Sequence, residues 1–557
     1  MGQEFLFSGL PGEGAVIGGK HRLARMISEG GGGVVWEAAD PDGRAVALKF
    51  LKWSPLKSRK VAAERFKNEF SILKSLSHPH ISQIYDFGFD ASSDQYFFTS
   101  ELLTAGDLKA MIGEPVAAVE ELFLEALRAL EYLRGNHLLH LDIKPQNLLL
   151  RSGEKPSLAM IDFGLATFRA PDKPGGTANY MPPEMIVRRL DLADEIASYP
   201  QADHRSDLYS LGVTFYYILT GIQPFCVLTA DGKRIDSLST LNRHLEYSPP
   251  PPSQYRSEIP AYLDRIIMKL IARHPDDRYP SAVVAAQALQ YSSPRDFAPE
   301  SAATLLAYLP KEGRLVGRRR EREAIEEILR RVAAGEPHDR PVVCVAGGRG
   351  QGRTRLLSAI KPFAQQLEIE VSQASESGTD EALRRIDSSK SPAHLLLVDD
   401  AERCIEEPGL ALALKALVRR LRLQQKLKSA PGPRLALALA VNTDRADLRA
   451  FLTELNLDDS LCRTVELGNF TAAEVAEYLA ALLGEAPDAS VVEQLARCTD
   501  GNPLFVTEHL EAMIARGSLF ALAGRPDART LKAMGVDFSK APPSRSMSES
   551  IRYRMAE

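Results

Sequence analysis

The segment around residues 140–150 places polar groups that could act on a phosphate next to an apolar strand. Asp142 and Asn147 lie five residues apart, just before the apolar run Leu148–Leu150. A further carboxylate, Asp162, follows the next short apolar pair. Carboxylate and amide oxygens can bind Mg²⁺, and a free carboxylate can accept a proton from a hydroxyl group. This spacing indicates a site where a metal-bound phosphate meets a hydroxyl.

Two lysines could neutralise such a phosphate. Lys144 lies in the same segment, and Lys49 follows the apolar strand predicted over residues 45–48. A lysine at the end of a buried strand needs a partner or a phosphate. Glu69 lies on the apolar face of the helix predicted over residues 61–76, at the spacing of one helical stripe. We predict an ion pair between Glu69 and Lys49 that holds the ammonium against the α- and β-phosphates of a nucleotide.

Four consecutive glycines, residues 30–33, separate two apolar runs, which favours a β-hairpin. Glycine lets the backbone approach phosphate oxygens and donate its N–H groups without a Cβ clash. A flexible turn would have the same composition, so this segment alone does not separate the two interpretations.

In this order and spacing, the elements resemble the protein kinase family over about residues 15–292, most closely the bacterial branch of eukaryotic-like serine/threonine kinases. Lys144 is similar to the serine/threonine-specific form of the motif. Glu184 and Arg278 are predicted to form a buried ion pair. The resemblance implies an α+β bilobal fold that transfers the γ-phosphoryl group of ATP to protein hydroxyls. Further segments that match the family are residues 176–177, 180–184, 206–212 and 274–278.

The resemblance also implies roles for individual residues. Asp142 is expected to orient the substrate hydroxyl and Lys144 to stabilise the γ-phosphoryl group, while Lys49 contacts ATP. Asn147 and Asp162 are the expected Mg²⁺ ligands. ATP and Mg²⁺ are therefore the expected cofactors, and proteins the expected substrates. The remaining residues expected to line the ATP site are Ile27, Ser28, Gly30, Gly33, Val35, Ala47, Glu101 and Leu103.

Two positions depart from the family. Ser28 replaces the first glycine of the loop, but serine keeps its N–H group, so we expect a modest effect on nucleotide affinity. Leu141 replaces the arginine that binds a phosphorylated activation loop in most regulated kinases. Residues 168–175 also contain no serine or threonine. We therefore predict that activation-loop phosphorylation does not switch this chain on, and that control comes from the C-terminal half.

The C-terminal half carries a second nucleotide-binding pattern. A buried strand predicted over residues 341–345 leads into Gly347 and Gly352, which are followed by Arg353 and Thr354. This order of strand, glycine loop and helix is that of a P-loop, where Thr354 would bind Mg²⁺. Arg353 occupies the position of the expected lysine, and a planar guanidinium does not simply replace a compact ammonium.

Over about residues 315–520 this half resembles AAA-related ATPase modules of the STAND type. The resemblance implies an α/β P-loop NTPase domain with a helical lid. Binding of ATP or ADP at the P-loop, a nucleotide-free scaffold and oligomerisation through this module all stay open. The segments that carry the resemblance, besides the P-loop, are Val316–Glu321, Asp399–Asp400 after the strand His394–Val398, Asn442 after the strand Leu435–Val441, and Gly501–Phe505.

The length of 557 residues is too great for a single hydrophobic core. We therefore predict a multidomain chain. The predicted parts are a kinase domain at 15–292, a linker at 293–314, a P-loop NTPase domain at 315–480, and a helical lid with the start of a winged-helix element at 481–557.

Composition narrows the classes of function. The formal net charge is −5 without a domain-wide basic excess, so no nucleic-acid partner is expected. The basic run Arg318–Arg320 is interpreted as a solvated helix face. The five cysteines form no CxxC pair, which argues against a metal cluster or a disulfide framework.

The N-terminus lacks the basic region of a signal peptide, and no apolar run is long enough to span a membrane. We therefore expect a cytoplasmic protein with no membrane partner.

Three functional hypotheses remain. The first is an active serine/threonine kinase in signal transduction, gated by a nucleotide switch in its C-terminal half. The second is a pseudokinase scaffold that binds nucleotide without turnover; the intact set Lys49, Glu69, Asp142, Asn147 and Asp162 argues against it. In the third, the C-terminal half carries the main activity, which the Arg353 substitution disfavours.

Overall fold

The computed structural model describes both halves of the chain, each with gaps. From the N-terminal half it describes residues 11–30, 33–51, 70, 74, 76–90, 92–93, 95–163, 167, 175–192, 198–226 and 237–295. From the C-terminal half it describes residues 304, 307, 315–335, 340–374, 386, 391–426, 433–483 and 486–515. Most of the predicted linker and the predicted winged-helix start lie outside the described residues.

The first strands form one antiparallel sheet in the order β1-β2-β3-β4-β6-β5. The predicted glycine hairpin is confirmed, because β2 pairs with β3 and Gly30 lies opposite Gly33. β4 extends past the predicted end, so Lys49 lies inside a strand that is paired on both sides. The strands are β1 (Val16–Ile17), β2 (His21–Gly30), β3 (Gly33–Ala39), β4 (Ala45–Leu51), β5 (Ile84–Asp90) and β6 (Gln95–Glu101).

The rest of the N-terminal half is mainly helical. Its elements are α1 (Val116–Gly135), β7 (Leu148–Arg151), β8 (Ser157–Met160), α2 (Pro183–Arg189), α3 (His204–Thr220), α4 (Ser237–Glu246), α5 (Ala261–Leu270) and α6 (Ala282–Ser292). α3 is buried along almost its whole length and packs against α1 and α5. A capping box between Asp203 and Ser206 starts α3, and Gly221, with a left-handed φ of 74°, ends it.

A buried ion pair fixes the helical part internally. Arg278 donates hydrogen bonds of 2.8 Å from both terminal nitrogens to the two carboxylate oxygens of Glu184. Both side chains are 0% exposed, and the guanidinium also lies 4.7 Å from the centre of the Tyr209 ring. The predicted pairing of these residues is confirmed, and the fork geometry accounts for the choice of arginine.

The C-terminal strands form a separate five-stranded parallel sheet in the order β10-β11-β12-β9-β13. Its strands are β9 (Val342–Gly347), β10 (Glu370–Ala374), β11 (Ala393–Val398), β12 (Arg434–Asn442) and β13 (Cys462–Glu466). The continuous apolar runs of β9, β11 and β12 are buried, as expected of strands that are covered on both faces. The three strands predicted from these runs are confirmed.

Helices cover both faces of this sheet or follow it in the chain. They are α7 (Arg319–Ala334), α8 (Arg353–Gln366), α9 (Pro408–Lys426), α10 (Leu448–Glu454), α11 (Ala472–Leu483), α12 (Ala489–Thr499) and α13 (Pro503–Ala515). None of the described helices combines the length and the apolar character needed to cross a bilayer. All five cysteines are described, and each is a free thiol.

Candidate functional site

The antiparallel sheet carries Lys49 to the first part of the candidate site. Its ammonium donates a hydrogen bond of 3.0 Å to Oδ1 of Asp162. Burial alone would raise the pKa of Asp162, but the neighbouring Lys49 lowers the pKa of this carboxyl below its usual value. Asp162 itself has a left-handed φ of 62°, a conformation that non-glycine residues rarely adopt. Two residues that lie 113 positions apart in sequence are thus paired in space.

A second cluster surrounds Asp142. Lys144 donates from its ammonium to Asp142 Oδ2 at 2.6 Å and to the Thr177 hydroxyl at 3.1 Å. The Thr177 hydroxyl in turn donates to Asp142 Oδ1 at 3.0 Å. Nδ2 of Asn147 donates to the backbone oxygen of Asp142 at 2.8 Å and to Oδ2 at 3.1 Å. The residues predicted from one short motif therefore converge, and Thr177 joins them from a later segment.

Helix α3 holds this segment in place through Asp207. The buried carboxylate of Asp207 accepts the backbone N–H of His140 at 2.8 Å and that of Leu141 at 2.7 Å. Burial raises the pKa of Asp207. The buried His140 ring packs 4.7 Å from the ring of Phe163, next to Asp162. The sequence pattern singled out residues 206–212 but gave Asp207 no role, although an aspartate inside an apolar helix is a signal for one.

Leu141 occupies an apolar environment. Its side chain is 5% exposed and packs in a small cluster with Met181, Met185, Ile186 and Leu241. Its backbone has a left-handed φ of 62°. Most regulated kinases have a phosphate-binding arginine at this position. Here Leu141 occupies the position and makes hydrophobic contacts.

Several predicted ATP-site residues share one face of the antiparallel sheet. Val35 pairs with Lys49 across the strands, and Ala47 lies two residues before Lys49 in β4. Because side chains alternate along a strand, these three point to the same face. Glu69, the predicted partner of Lys49, lies outside the described residues, as do Gly31 and Gly32.

The remaining predicted residues lie at the margins of that sheet. Ile27 and Ser28 are exposed near the end of β2, and Leu103 follows β6. Glu101 forms a bidentate ion pair with Arg151, at 2.6 and 2.8 Å, that the sequence had not indicated. Its backbone oxygen, not its carboxylate, is therefore the group left to face a ligand.

The parallel sheet places a second candidate site at the end of β9. Gly347 ends the strand, and Gly352, with a left-handed φ of 91°, caps the N-terminus of α8. The guanidinium of Arg353 donates to the backbone oxygens of Gly347 and, at 2.8 Å, of Gly348. It also lies 3.8 Å from Oδ1 of Asp400, which follows β11. Arg353 thus ties the loop to the carboxyl end of a neighbouring strand.

Side chains of the chain itself occupy two N–H groups of this loop. Gly348 N–H donates to Oε1 of Gln351 at 2.6 Å, and Arg349 N–H donates to a carboxylate oxygen of Asp444 at 2.7 Å. Asn502 reaches the loop from the predicted lid and donates to the backbone oxygen of Arg349 at 3.0 Å. The sequence had not indicated the roles of Gln351 and Asp444.

A cavity of about 280 Å³ lies beside this loop. It is lined by Arg318 and Arg353 on one side and by apolar and aromatic side chains that include Phe470, Tyr478 and Leu504. The interpretation of Arg318 as part of a solvated helix face is wrong, because this residue is 6% exposed and donates to the Gly468 oxygen. Arg318 stands at the helix cap with φ 55°, which turns it inward, whereas Arg319 is exposed.

Both arginines that line the cavity also carry a buried donor. The Nε atoms of Arg318 and Arg353 are both buried and have no hydrogen-bond partner among the described residues. Their side chains are 7% and 10% exposed, respectively. Two guanidinium groups at one cavity favour an anionic ligand, because both carry positive charge.

Comparison with known proteins assigns the first half of the chain. The protein kinase domain family matches residues 22–292. The serine/threonine-protein kinases pkn3 and Pkn1 of Myxococcus xanthus are each 31% identical, over 54% and 49% of this chain. The serine/threonine-protein kinase PknE of Mycobacterium tuberculosis is 31% identical over 47% of this chain.

The aligned parts cover 56%, 38% and 44% of those three relatives, so the chain spans roughly half of their length or less. The family match ends before the parallel sheet begins. Within these bounds, residues 22–292 are a protein kinase domain of the bacterial serine/threonine type.

Proposed function

We propose that this chain is a serine/threonine protein kinase that uses ATP and Mg²⁺ to phosphorylate protein hydroxyls in signal transduction. The observation that carries the proposal is the convergence of Asp142, Lys144 and Asn147 close to the Lys49–Asp162 pair. Phosphoryl transfer depends mainly on alignment and charge neutralisation, and this arrangement supplies groups for both.

In this proposal Asp142 accepts the proton of the substrate hydroxyl. Thr177 holds one carboxylate oxygen of Asp142 and Lys144 holds the other, so the carboxylate is already oriented. Lys144 can then follow the transferred phosphoryl group, because its ammonium lies 2.6 Å from the acceptor carboxylate. Lys49 neutralises the phosphates of ATP from the sheet.

The polar groups that remain fit a magnesium ion. Both Nδ2 contacts of Asn147 go to Asp142, so the atom of Asn147 available to a metal is the acceptor Oδ1. Asp162 adds a carboxylate that the low pKa keeps ionised. Mg²⁺ prefers oxygen ligands of this kind, and when bound it supplies charge neutralisation at the phosphoryl oxygens.

The test is phosphate transfer by the purified full chain. Incubation with labelled ATP and Mg²⁺, followed by mapping of phosphosites, is expected to show incorporation by the wild type and none by Asp142→Asn or Lys49→Met. Asp276→Asn, which changes an exposed carboxylate of the same domain, is the matched control and should retain transfer. Undiminished incorporation by Asp142→Asn would contradict the proposal, and inactivity of the wild type would favour the pseudokinase scaffold.

We further propose that activation-loop phosphorylation does not control this kinase. The buried apolar packing of Leu141 supports this, because leucine offers no donor for a phosphate group. Residues 168–174 of the loop lie outside the described residues, and their sequence contains no serine or threonine. A stoichiometric phosphate in that loop that raises activity about tenfold would contradict it.

For the C-terminal half we propose an AAA-related module whose cavity binds a nucleotide and regulates the kinase. The glycine loop follows β9. The chain leaves β9 towards β10 at one edge of the sheet, whereas it leaves the neighbouring β12 towards β13 at the other edge. Ligands of open α/β sheets bind where such connections diverge. The guanidinium groups of Arg318 and Arg353 suit phosphate oxygens, and the cavity lining also includes the aromatic residues Phe470 and Tyr478.

The test is equilibrium binding of ADP to a Lys49→Met chain, in which the kinase site is weakened. Arg318→Ala and Arg353→Ala should each weaken binding about tenfold or more, since each removes a charge-assisted contact. Arg422→Ala, an exposed substitution on α9, should leave binding unchanged. No saturable binding by the parent chain would favour the nucleotide-free scaffold.

A further inference from the structure

The helix that begins at the second glycine loop ends against the kinase domain. α8 starts at Arg353, and near its other end Gln365 is 8% exposed. Nε2 of Gln365 donates to Oδ1 of Asp86 at 2.8 Å and to the backbone oxygen of Phe87 at 2.7 Å. β5 is the edge strand of the antiparallel sheet, so α8 covers an edge whose backbone groups would otherwise face solvent.

Asp86 is the centre of this contact. Its carboxylate accepts from Lys20 of the kinase domain and from Gln365, and it lies 3.5 Å from Nζ of Lys361 on α8. Burial alone would raise the pKa of Asp86, but Lys20 and Lys361 hold the pKa well below its usual range. We call Lys20, Asp86, Lys361 and Gln365 the Asp86 junction.

Both halves of the chain supply partners for Asp86. A buried carboxylate that loses some of its donors is strongly destabilised. Lys361 and Gln365 come from α8, so undocking of that helix would leave Asp86 with fewer partners. Tyr96 adds a further bridge, because its hydroxyl donates to Glu368 just after α8. The contact is therefore specific and polar, not a chance apposition of surfaces.

The junction lies in line with the lysine of the kinase site. Phe87 of β5 pairs with Phe98 of β6, and Phe98 pairs with Lys49 of β4. Neighbouring strands are about 4.8 Å apart, so Lys49 lies two strands from the backbone oxygen that Gln365 binds. The Lys49 ammonium also lies 5.5 Å from the centre of the Phe98 ring. A contact that restricts the motion of β5 can therefore also restrict Lys49, through the paired residues Phe87 and Phe98.

We propose that the Asp86 junction is the contact through which the C-terminal half controls the kinase domain. Docking of α8 orders β5 and β6 and thereby fixes Lys49 for ATP. We take the docked arrangement as the supporting one; in it Lys49 and Asp162 are paired at 3.0 Å and Gln365 binds Asp86. This inference rests on the proposed kinase function and adds the physical route of its regulation.

The first test asks whether the contact forms in solution. Gln365→Glu keeps the size of the side chain but replaces both hydrogen-bond donors with an acceptor facing Asp86 and a carbonyl. Gln425→Glu is the matched control, because Gln425 lies on α9 and donates to the Ser460 oxygen within the C-terminal half. Hydrogen exchange of residues 84–101 in the full chain should accelerate at least about fivefold in Gln365→Glu and stay unchanged in the control.

The second test asks whether the contact acts on ATP binding. In Gln365→Glu the KM for ATP should rise about fivefold or more, while kcat on a general protein substrate such as myelin basic protein stays within about twofold. Lys361→Ala, which removes one ammonium and leaves both hydrogen bonds of Gln365 in place, should change the KM in the same direction by less. A purely structural role would leave the KM unchanged in both variants.

The outcomes separate the docking, its regulatory role and the kinase function. Unchanged exchange in both Gln365→Glu and Lys361→Ala would overturn the docking. Faster exchange with an unchanged KM would overturn the regulatory role of the junction. A wild-type chain that transfers no phosphate would instead contradict the proposed kinase function, while the exchange result would still decide the docking.

Discussion

The two candidate nucleotide sites differ in what holds their cations. In the kinase domain the ammonium of Lys49 is paired with the carboxylate of Asp162, which comes from a distant segment. In the C-terminal half the guanidinium of Arg353 donates to two backbone oxygens of its own loop. A side-chain partner can be exchanged for a phosphate or shared with a metal, whereas a backbone oxygen stays where the loop places it.

This difference separates a cation that is poised to act from one that shapes its surroundings. Lys49 can move its charge towards ATP because its geometry depends on flexible side chains. The Arg353 guanidinium donates to two backbone oxygens, and its buried Nε has no hydrogen-bond partner among the described residues. We therefore expect the C-terminal site to bind a ligand but not to catalyse a reaction on it.

The largest effect is expected at Arg278, a fully buried arginine with a charged partner, and sharpens the comparison with Arg353. Glu184→Gln leaves the Arg278 guanidinium buried without a charged partner, so the free energy of unfolding should fall by about 3–5 kcal/mol. Urea unfolding followed by hydrogen exchange in α2 and α3 measures this. Glu258→Gln, at an exposed ion pair, is the control and should change stability by less than about 1 kcal/mol.

The second-largest effect is expected when the cation of the kinase site is exchanged. Lys49→Arg keeps the positive charge but brings a planar fork into a site built for an ammonium, so phosphate transfer should fall at least about a hundredfold. Transfer rates at saturating ATP check this, with Lys109→Arg as the exposed control. Transfer within about threefold of the wild type would show that charge alone, and not shape, is required.

The converse exchange is expected to have a smaller effect. Arg353→Lys removes the forked contact with Gly347 and Gly348 and leaves a compact ammonium in the loop. ADP affinity of the C-terminal site should fall about threefold, less than in Arg353→Ala, because lysine keeps the positive charge at the loop but loses the planar fork. Calorimetric titration in the Lys49→Met background measures it, and a rise in affinity would show that the guanidinium competes with phosphate for space.

The smallest effect concerns protonation of Asp162. In Lys49→Met, burial acts on Asp162 without the opposing ammonium, so the pKa of this carboxyl should rise. In the wild type the lowered pKa of Asp162 contributes stability above the ordinary aspartate pKa, and that contribution is lost as the pH falls through the folded-state pKa. The Lys49→Met variant should lose this pH-dependent contribution to stability. Carbon NMR titration of the carboxyl measures the shift, and an unchanged pKa would contradict the pairing.

Residues close together in sequence were the ones that could be predicted. The spacing of Asp142, Lys144 and Asn147 predicted their convergence, because all three lie in the short segment just before β7. Strands β9, β11 and β12 were predicted because apolar runs of that length have few alternatives. Pairing of Glu184 with Arg278 is the exception, because it was predicted although the two residues lie 94 positions apart.

Other features could not be predicted because their meaning depends on the environment. Arg318 has the composition of a solvated helix face, yet a left-handed cap turns it into the cavity beside Phe470. Asp444 caps the glycine loop only because β12 brings it there, whereas Gln351 caps it from within the loop. Such contacts leave no periodic trace in the sequence.

The sequence by itself determined the chemistry of the kinase site: which carboxylates, which lysines and which amide are available, and in what order. The tertiary structure decided which of these charges meet, and it joined the two halves at Asp86 and Gln365, 279 positions apart. The physical reason is that residue type sets what a group can do, whereas burial and partners set whether it does it. A carboxylate becomes a proton acceptor, an anchor or a docking point according to the donors that the fold brings within about 3 Å of it.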